Sequence, residues 1–362
     1  MSNTADQLEA AAGWVRRWLV GLLLGCYGFA AILPGPGRWL RDWEFSLTSE
    51  GAPVRLLLML VGVLLFCGSI SIDAQRILDL LRRPGAVVLA LLGVWGPPIA
   101  VVTLCNALTP WWLQPTDALG LGVGLALAGA MPVANSAVAW TQQSSRHSKS
   151  KRTTESGLAW TIGLVVLTIT ISPWVTPEML WLSGLSLSAA DAAAADELVA
   201  QFTGGVFVFW VLGPTLFGFV VRWIAGADRV SSWRPVLSLA SAVALLLVNY
   251  ANASTALPRF AAEPNLLLLA TTLLAAALLP LTGHAVSWVL APLARLPSRD
   301  RAAWRYSLGM KNTGLALGLA GAALGDQPVA VLAILMTTLT QHVIAGATHA
   351  RASTKSPLSE GT

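Results

Sequence analysis

A lysine and an asparagine stand in the middle of a stretch whose other residues suit a membrane-spanning helix. Lys311 and Asn312 lie in the run 307–318, and Gly309 and Gly314 flank them. A charged side chain at the centre of a bilayer costs roughly 2.5 to 3.5 kcal/mol on insertion scales, and such residues usually line functional sites. An ammonium group donates hydrogen bonds and attracts anions. The pair therefore predicts a polar or anion-binding site within the membrane.

A proline followed by two polar residues interrupts another apolar run, at 118–140. Pro132 removes an amide donor and clashes with the preceding turn, and Asn135 and Ser136 follow it closely. Freed backbone groups need partners in lipid, so such breaks belong beside protein or a water-filled cavity. Matching breaks mark binding sites in transporters built from inverted repeats, while the alternative is an ordinary kink bonded across a helix interface. The residues predicted to form the crossover or bind substrate are Pro132, Asn135, Ser136, Gly309, Lys311, Asn312 and Thr313.

The composition indicates an integral membrane protein. The 362 residues are 55% hydrophobic and 11% charged, with a net charge of +5, whereas a soluble protein averages about 25% charged residues. In such a chain the positive charge reflects cytoplasmic arginines and no nucleic-acid surface. The three cysteines lie in apolar runs without metal spacing or a disulfide pattern. We therefore predict the lipid bilayer as a partner, with no nucleic acid, no metal and no cofactor.

Ten apolar runs are long enough to cross a bilayer as helices. With the N-terminus inside, 18 of the 23 Lys and Arg residues fall on the cytoplasmic side and four outside, and Lys311 is the remaining one. This asymmetry favours ten spans, an inner-membrane location and both termini in the cytoplasm. The spans are predicted at 18–34, 56–71, 86–107, 118–140, 157–175, 201–221, 235–251, 264–292, 306–324 and 328–348.

The long loop at 176–200 divides the ten spans into two groups of five. It carries no Lys or Arg and is predicted to lie outside. An odd number of spans in each half gives the halves opposite topology, as in transporters with inverted repeats. The prediction is an all-α polytopic membrane protein with one transporter domain at 1–350, made of repeats at about 18–177 and 201–348, with broken crossing helices four and nine. Residues 351–362 are predicted to form a cytoplasmic tail.

Four stretches resemble the bile acid:sodium symporter family, and the resemblance spans nearly the whole chain. SLGMKNTGLALGLAG at 307–321 looks like helix nine of that family, whose core reads Glu-x-Gly-Met-Gln-Asn, and MPVANSAVAW at 131–140 is similar to its crossover in helix four. The stretches at 69–98 and 161–177 look like helices two to three and helix five. The resemblance implies a bacterial carrier of organic anions with a core domain, a panel domain and crossing helices four and nine.

The chain departs from that family at the positions that would hold two sodium ions. The shared carboxylate falls at Ser307, and a glutamine ligand falls at Lys311. The two hydroxyl positions of helix five fall at Thr161 and Val165, and the glutamine of helix three falls near Gly93. Hard cations such as sodium prefer several oxygen ligands, including an anionic one. Since these former cation-site positions lack a carboxylate and add a cation, we expect no sodium coupling.

Four interpretations of Lys311 are open from the sequence. In the first, its ammonium replaces a bound sodium ion and donates to the oxygens of Asn135, Ser136, Thr161 and Ser307. In the second, it gains and loses a proton, which would couple transport to protons. In the third, it binds an anionic substrate directly. In the fourth, it snorkels to the membrane surface and has no functional role.

The function that these features favour is secondary transport of a small organic anion. The chain has no phosphate-binding loop for an ATP-driven pump, and its spans hold no paired carboxylates, metal-ligand cluster or Ser-His-Asp set, so an enzyme is not expected. The alternatives are a proton-coupled carrier, an exporter of arsenite-like or auxin-like solutes, and a nontransporting membrane sensor. Gln341 and His342, in the tenth span, are interpreted as an internally bonded core pair, with the alternative that they face the cavity.

Overall fold

The structure is a computed structural model that describes residues 2–45, 54–71, 82–145, 151–182, 209, 212–297, 300–324 and 327–354. Its helices are α1 (Ser2–Ile32), α2 (Gly35–Asp42), α3 (Leu56–Ile70), α4 (Pro84–Leu108), α5 (Pro115–Ala130), α6 (Asn135–Ser145), α7 (Lys151–Leu182), α8 (Gly213–Ala225), α9 (Ala227–Ala262), α10 (Leu266–Leu293), α11 (Arg301–Gly309), α12 (Thr313–Ala323) and α13 (Pro328–Thr354). Two short strands, β1 (Glu44–Phe45) and β2 (Val54–Arg55), pair antiparallel; every other element named here is a helix, which agrees with the all-α prediction.

Local sequence signals fix where several helices begin and end. Proline occupies the first position of α4, α5 and α13, where its missing amide is not needed and its backbone angle suits a helix. Asn265 caps α10 by accepting the amide of Leu268 at 3.0 Å. Gly226, whose φ of +81° disfavours any side chain, separates α8 from α9. From there α9 continues to Ala262, well beyond the predicted end of its span at 251.

Within the described ranges, five helices are long and apolar enough to cross a membrane. They lie at Pro84–Trp111, Gly157–Leu182, Ala227–Ala262, Leu266–Leu293 and Pro328–Arg351. A bent pair of helices within α1 is a sixth candidate. The helices α3, α5 and α8 are also apolar but shorter. Many large apolar side chains face outward, with Trp111 and Trp223 each 84% exposed. The chain is an integral membrane protein, while the count of ten spans and the inverted repeat remain predictions.

The fourth and ninth predicted spans are each divided into two helices. The span at 118–140 corresponds to α5 and α6, and the span at 306–324 corresponds to α11 and α12. At the end of each first helix the chain becomes extended, with ψ of 151° at Met131 and 122° at Met310. We call residues 131–134 the first break and residues 310–312 the second break.

The helices pack as two groups. α1, α2, α3, α8 and α9 contact one another, and we call this group the panel. α4 to α7, α10, α11 and α13 form the second group, the core, and α12 lies between α13 of the core and α3 and α9 of the panel. The second break, which leads into α12, therefore lies beside the surface where the two groups meet.

Small residues in α5 let it approach α13 closely. Gly120 and Gly124 recur at a spacing of four along one face, which is typical of closely packed membrane helices. A Cβ atom on Gly124 would overlap the carbonyl oxygen of Ala330, and one on Gly120 would lie 3.0 Å from Cβ of Val329. Close packing on α13 thus holds α5, and the first break at its end, in place.

Candidate functional site

The two breaks cross and hydrogen-bond to each other. Val133 and Lys311 form an antiparallel bridge. Its two hydrogen bonds run from the amide of Ala134 to the carbonyl of Met310 at 3.0 Å and from the amide of Asn312 to the carbonyl of Pro132 at 2.9 Å. Backbone groups freed by breaking two helices therefore satisfy each other, as a low-dielectric membrane interior requires. The sequence-predicted breaks are brought together at one point.

Side chains from two other helices bond to the backbone groups of Val133 and Lys311 that point away from each other. The amide of Val133 donates to Oγ1 of Thr168 at 3.1 Å, and the amide of Lys311 donates to Oε1 of Gln341 at 3.0 Å. Nε2 of Gln341 also donates to the carbonyl of Lys311 at 3.2 Å and to Oγ1 of Thr313 at 3.1 Å. Thr168 lies on α7 and Gln341 on α13, the helices that follow the two broken pairs. An inverted repeat would produce this correspondence.

Replacing Gln341 with leucine is expected to lower the free energy of unfolding by about 1 to 3 kcal/mol. The change removes three hydrogen bonds and leaves the buried amide of Lys311 without its partner. Reversible unfolding in mixed micelles measures the loss. Gln142→Leu is the matched control, because Gln142 also lines the cavity described below but its side chain bonds to no other described residue. Equal losses in the two variants would contradict the bridging role of Gln341.

The side chain of Lys311 points into the core and is 4% exposed. Its Nζ donates to the carbonyl oxygen of Val94 and, at 3.4 Å, to that of Met131, and it lies 5.7 Å from the ring centroid of Trp95. An ammonium has three donors and no acceptor, and a tryptophan face within about 6 Å attracts a cation. The three partners, which we call the carbonyl cage, are suited to a positive charge.

Helix irregularities explain why the cage carbonyls are available. Within α4 the carbonyl of Val94 would normally accept the amide four residues later, but that residue is Pro98 and has no N–H. The carbonyl of Met131 is free because α5 has just ended. The indole Nε1 of Trp95 donates to the carbonyl of Ala130 at 3.0 Å, which fixes the ring beside the first break. The local sequence therefore leaves these two carbonyls free to accept from Nζ.

Two expectations about Lys311 are wrong. Snorkelling is excluded, because Nζ donates to interior carbonyls. The oxygens that accept from its Nζ, the carbonyls of Val94 and Met131, are also not among those expected, which were Asn135, Ser136, Thr161 and Ser307. Oγ of Ser307 donates to the carbonyl of Ala303 at 2.8 Å, Oγ1 of Thr161 bonds Oγ1 of Thr141 at 2.9 Å, and Nδ2 of Asn135 donates to the carbonyl of Leu64 at 3.5 Å. The reason is steric, because the cage lies toward α4 whereas these side chains bond along their own helices or toward neighbouring ones.

The remaining former cation-site positions are packed and apolar. Val165 is fully buried. A side chain on Gly93, in α4, would overlap Leu308, so the space that a ligand side chain would need at this position is already filled. Gly309 lies against the ring of His284, which leaves no room for a Cβ atom there. The role of Gly309 in the described geometry is therefore to admit a close neighbour at the second break.

A cavity of about 260 Å³ opens beside the crossing. Five of the seven residues predicted for the crossover or substrate line it, whereas Pro132 and Gly309 do not. The five are Asn135, Ser136, Lys311, Asn312 and Thr313. Gln341 and His342 also line it. Gln341 is buried and internally bonded, as predicted, through its contacts with the second break, whereas Nδ1 of His342 has no hydrogen-bond partner among the described residues. The cavity therefore brings polar groups from both breaks to one space.

Three groups at the site escaped the sequence analysis. Thr168 lies seven residues after Thr161, which is two helical turns and therefore the same face of α7. This position on the same face as Thr161 is the sequence signal that could have identified Thr168. The Pro97-Pro98 pair in an apolar run signals carbonyls without intrahelical donors. Nothing in the sequence, however, indicates that the Val94 carbonyl and the Trp95 ring meet Lys311.

The chain matches one family model over most of its length. The model is described as the SBF-like CPA transporter family, and it matches residues 17–351. The match includes both breaks and the carbonyl cage, and the family relates to the bile acid:sodium symporter group that the sequence resembles. No curated protein matches the chain.

Proposed function

Because the chain belongs to the SBF-like CPA transporter family, we propose that it is a secondary transporter that moves a small organic anion without sodium. The proposal includes an inner-membrane location, cytoplasmic termini and ten spans in two inverted repeats. The observation that carries it is the buried ammonium of Lys311, held in the carbonyl cage where two broken helices cross beside a cavity. Such crossings lie at the substrate site of many secondary transporters.

Lys311 acts in this proposal as a cation that is covalently attached. Backbone carbonyls can replace the hydration shell of a bound metal cation, and here the same kind of group surrounds Nζ. The ammonium links α4, the end of α5 and the second break through one side chain. A mobile ion is not needed to hold these segments together, because the charge is part of the chain.

The lining of the cavity favours an anion. Arg234 belongs to it, and no Asp or Glu occurs among the described residues that line it. Serine and amide side chains supply neutral hydrogen-bonding groups, as at Ser136, Ser238 and Asn312. A cavity with a cation and without carboxylates favours negatively charged solutes over positively charged ones.

Hydrogen bonds join the panel to the core on the predicted outer side of the cavity, as expected for alternating access. The hydroxyl of Tyr27 lies 2.8 Å from Oδ1 of Asn249 and 3.1 Å from the carbonyl oxygen of Leu335, either of which can accept its one proton, and the contact with Leu335 joins panel to core. Tyr27 on α1, Asn249 on α9 and Leu335 on α13 each lie one or more helical turns from the residues of the same helix that line the cavity. In each helix the displacement is toward the predicted outer side of the membrane. Arg55 adds a bond to the carbonyl of Gly321 at 3.1 Å. We interpret the structure as an inward-facing state of a carrier that moves core against panel.

Uptake into proteoliposomes tests this function, with radiolabelled phenylacetate as the probe anion. We expect flux above that of empty liposomes, at equal rates in sodium, potassium and lithium buffers and without acceleration by a proton gradient. Dependence on sodium would contradict the fixed-cation role of Lys311. Acceleration by protons would favour a titrating lysine instead. Absence of flux for phenylacetate and for a panel of other small organic anions would contradict anion transport.

A further inference from the structure

One arginine in the cavity has no partner in the part of the chain that the structure describes. Arg234 lies near the start of α9, lines the cavity and is exposed. No described residue hydrogen-bonds to its side chain or forms an ion pair with it. Guanidinium groups bind carboxylates and similar acids through two parallel hydrogen bonds. Arg234 is therefore free to bind the acid group of a solute.

A second unpaired group lies deeper in the same cavity. His342 is 2% exposed, and its Nδ1 has no hydrogen-bond partner among the described residues. It follows Gln341, which bonds the second break. A buried polar atom without a partner is unfavourable, so a ligand that supplies one is favoured at that point. The cavity thus offers a cation at one place and an unsatisfied imidazole nitrogen at another.

The size and walls of the cavity limit the solute. A dry cavity of roughly 150 Å³ holds one benzene molecule, so a cavity of about 260 Å³ holds on the order of ten non-hydrogen atoms. Leucines at 64, 237 and 245 form part of the wall. The solute that fits within these walls is small and has an apolar body.

We propose that the transported solute is a small monoanion with one acid group, an apolar body and a second hydrogen-bonding group such as a hydroxyl. Its acid group pairs with Arg234 and its second polar group bonds His342, so these two side chains determine specificity. The inference rests on the proposed function, because it names the substrate class of the same cavity.

Charge-selective labelling tests the role of Arg234 without requiring transport. Ser238 lines the cavity and is replaced by cysteine, in a chain whose own cavity cysteine is removed by Cys67→Ala. With each rate divided by the reagent's rate with a free thiol in solution, we expect a sulfonate-bearing methanethiosulfonate reagent to react roughly tenfold faster than its trimethylammonium counterpart. Arg234→Gln should bring the ratio close to one, whereas the control Arg229→Gln, on the same helix but outside the cavity lining, should not. An unchanged ratio in Arg234→Gln would overturn the proposal.

Protection of the same cysteine by added anions tests the substrate class. Mandelate should protect better than phenylacetate, which lacks the hydroxyl, and His342→Phe should remove that difference. Neutral mandelamide, and cholate below its micellar concentration, should not protect. Protection by either of these, or equal protection by the two small acids, would overturn the inference. Since labelling needs no translocation, protection without flux contradicts only the transport function, and flux that is independent of Arg234 contradicts only this inference.

Discussion

Replacing Lys311 with methionine is expected to reduce solute flux by roughly tenfold or more and to lower the free energy of unfolding by about 1 to 4 kcal/mol. Methionine fills a similar volume but cannot donate, so the carbonyls of Val94 and Met131 lose a shared donor in a buried place. Burying a charge is itself costly, and a well-packed apolar replacement sometimes stabilises a protein. Here two of the three partners in the cage are carbonyls, which an apolar side chain does not satisfy, so destabilisation should prevail.

Flux in proteoliposomes and unfolding in mixed micelles measure the two effects of Lys311→Met. Arg229→Met is the control, because it removes a positive charge from an exposed position on α9 and should change stability by less than about 0.5 kcal/mol. Full flux together with full stability in Lys311→Met would remove the ammonium from the mechanism. Loss of flux at unchanged stability would instead assign Lys311 to solute binding.

Replacing Gly124 with alanine is expected to lower the free energy of unfolding by about 3 kcal/mol or more and to abolish most of the flux. The added Cβ atom would overlap the backbone carbonyl of Ala330 and lie 2.8 Å from Cβ of Ala333. A backbone atom cannot rotate away as a flexible side chain can. α5 must therefore move from α13, and the first break moves with it.

Gly96→Ala is the matched control for Gly124→Ala. Gly96 lies in α4, and a Cβ atom there would meet nothing within 4 Å. Alanine favours a helix over glycine by up to about 1 kcal/mol, so this variant should be as stable as the parent or more so. Similar losses in both variants would show that close approach of α5 to α13 is not the cause. Thermal unfolding and uptake by the same preparations provide both measurements.

The sequence predicts the membrane class, the two breaks and the unusual lysine, because each depends on local residue types. Pro132 and the polar pair Lys311 and Asn312 interrupt apolar runs, and such interruptions have few explanations in lipid. The partners of Nζ could not be predicted, because every residue has a backbone carbonyl and the residue type does not show which one will accept. Whether Thr168 or Thr161 accepts the amide of Val133 depends on the position of α7 along its axis relative to the first break. Packing between distant helices decides this.

The length of α9 shows another limit of sequence analysis. Hydropathy ends its span near 251, yet the helix runs through Asn252 and Pro258 to Ala262. A helix satisfies its own backbone and need not stop where its side chains become polar. Asn252 donates to the carbonyl of Val248 at 2.9 Å within the same helix. Polar side chains of this kind are accommodated internally, so composition alone misplaces the helix end.

The attachment of the cation to the chain has a thermodynamic consequence. A sodium ion that travels down its gradient supplies free energy to its co-transported solute, but an ammonium fixed at Lys311 never crosses the membrane and supplies none. Under the proposed function the carrier is passive, and the solute follows its own electrochemical gradient. A membrane potential of 100 mV, negative inside, acts on a monoanion with about 2.3 kcal/mol, which corresponds to a concentration ratio of roughly fiftyfold in favour of the outside. A carrier of this design would release its solute from the cell.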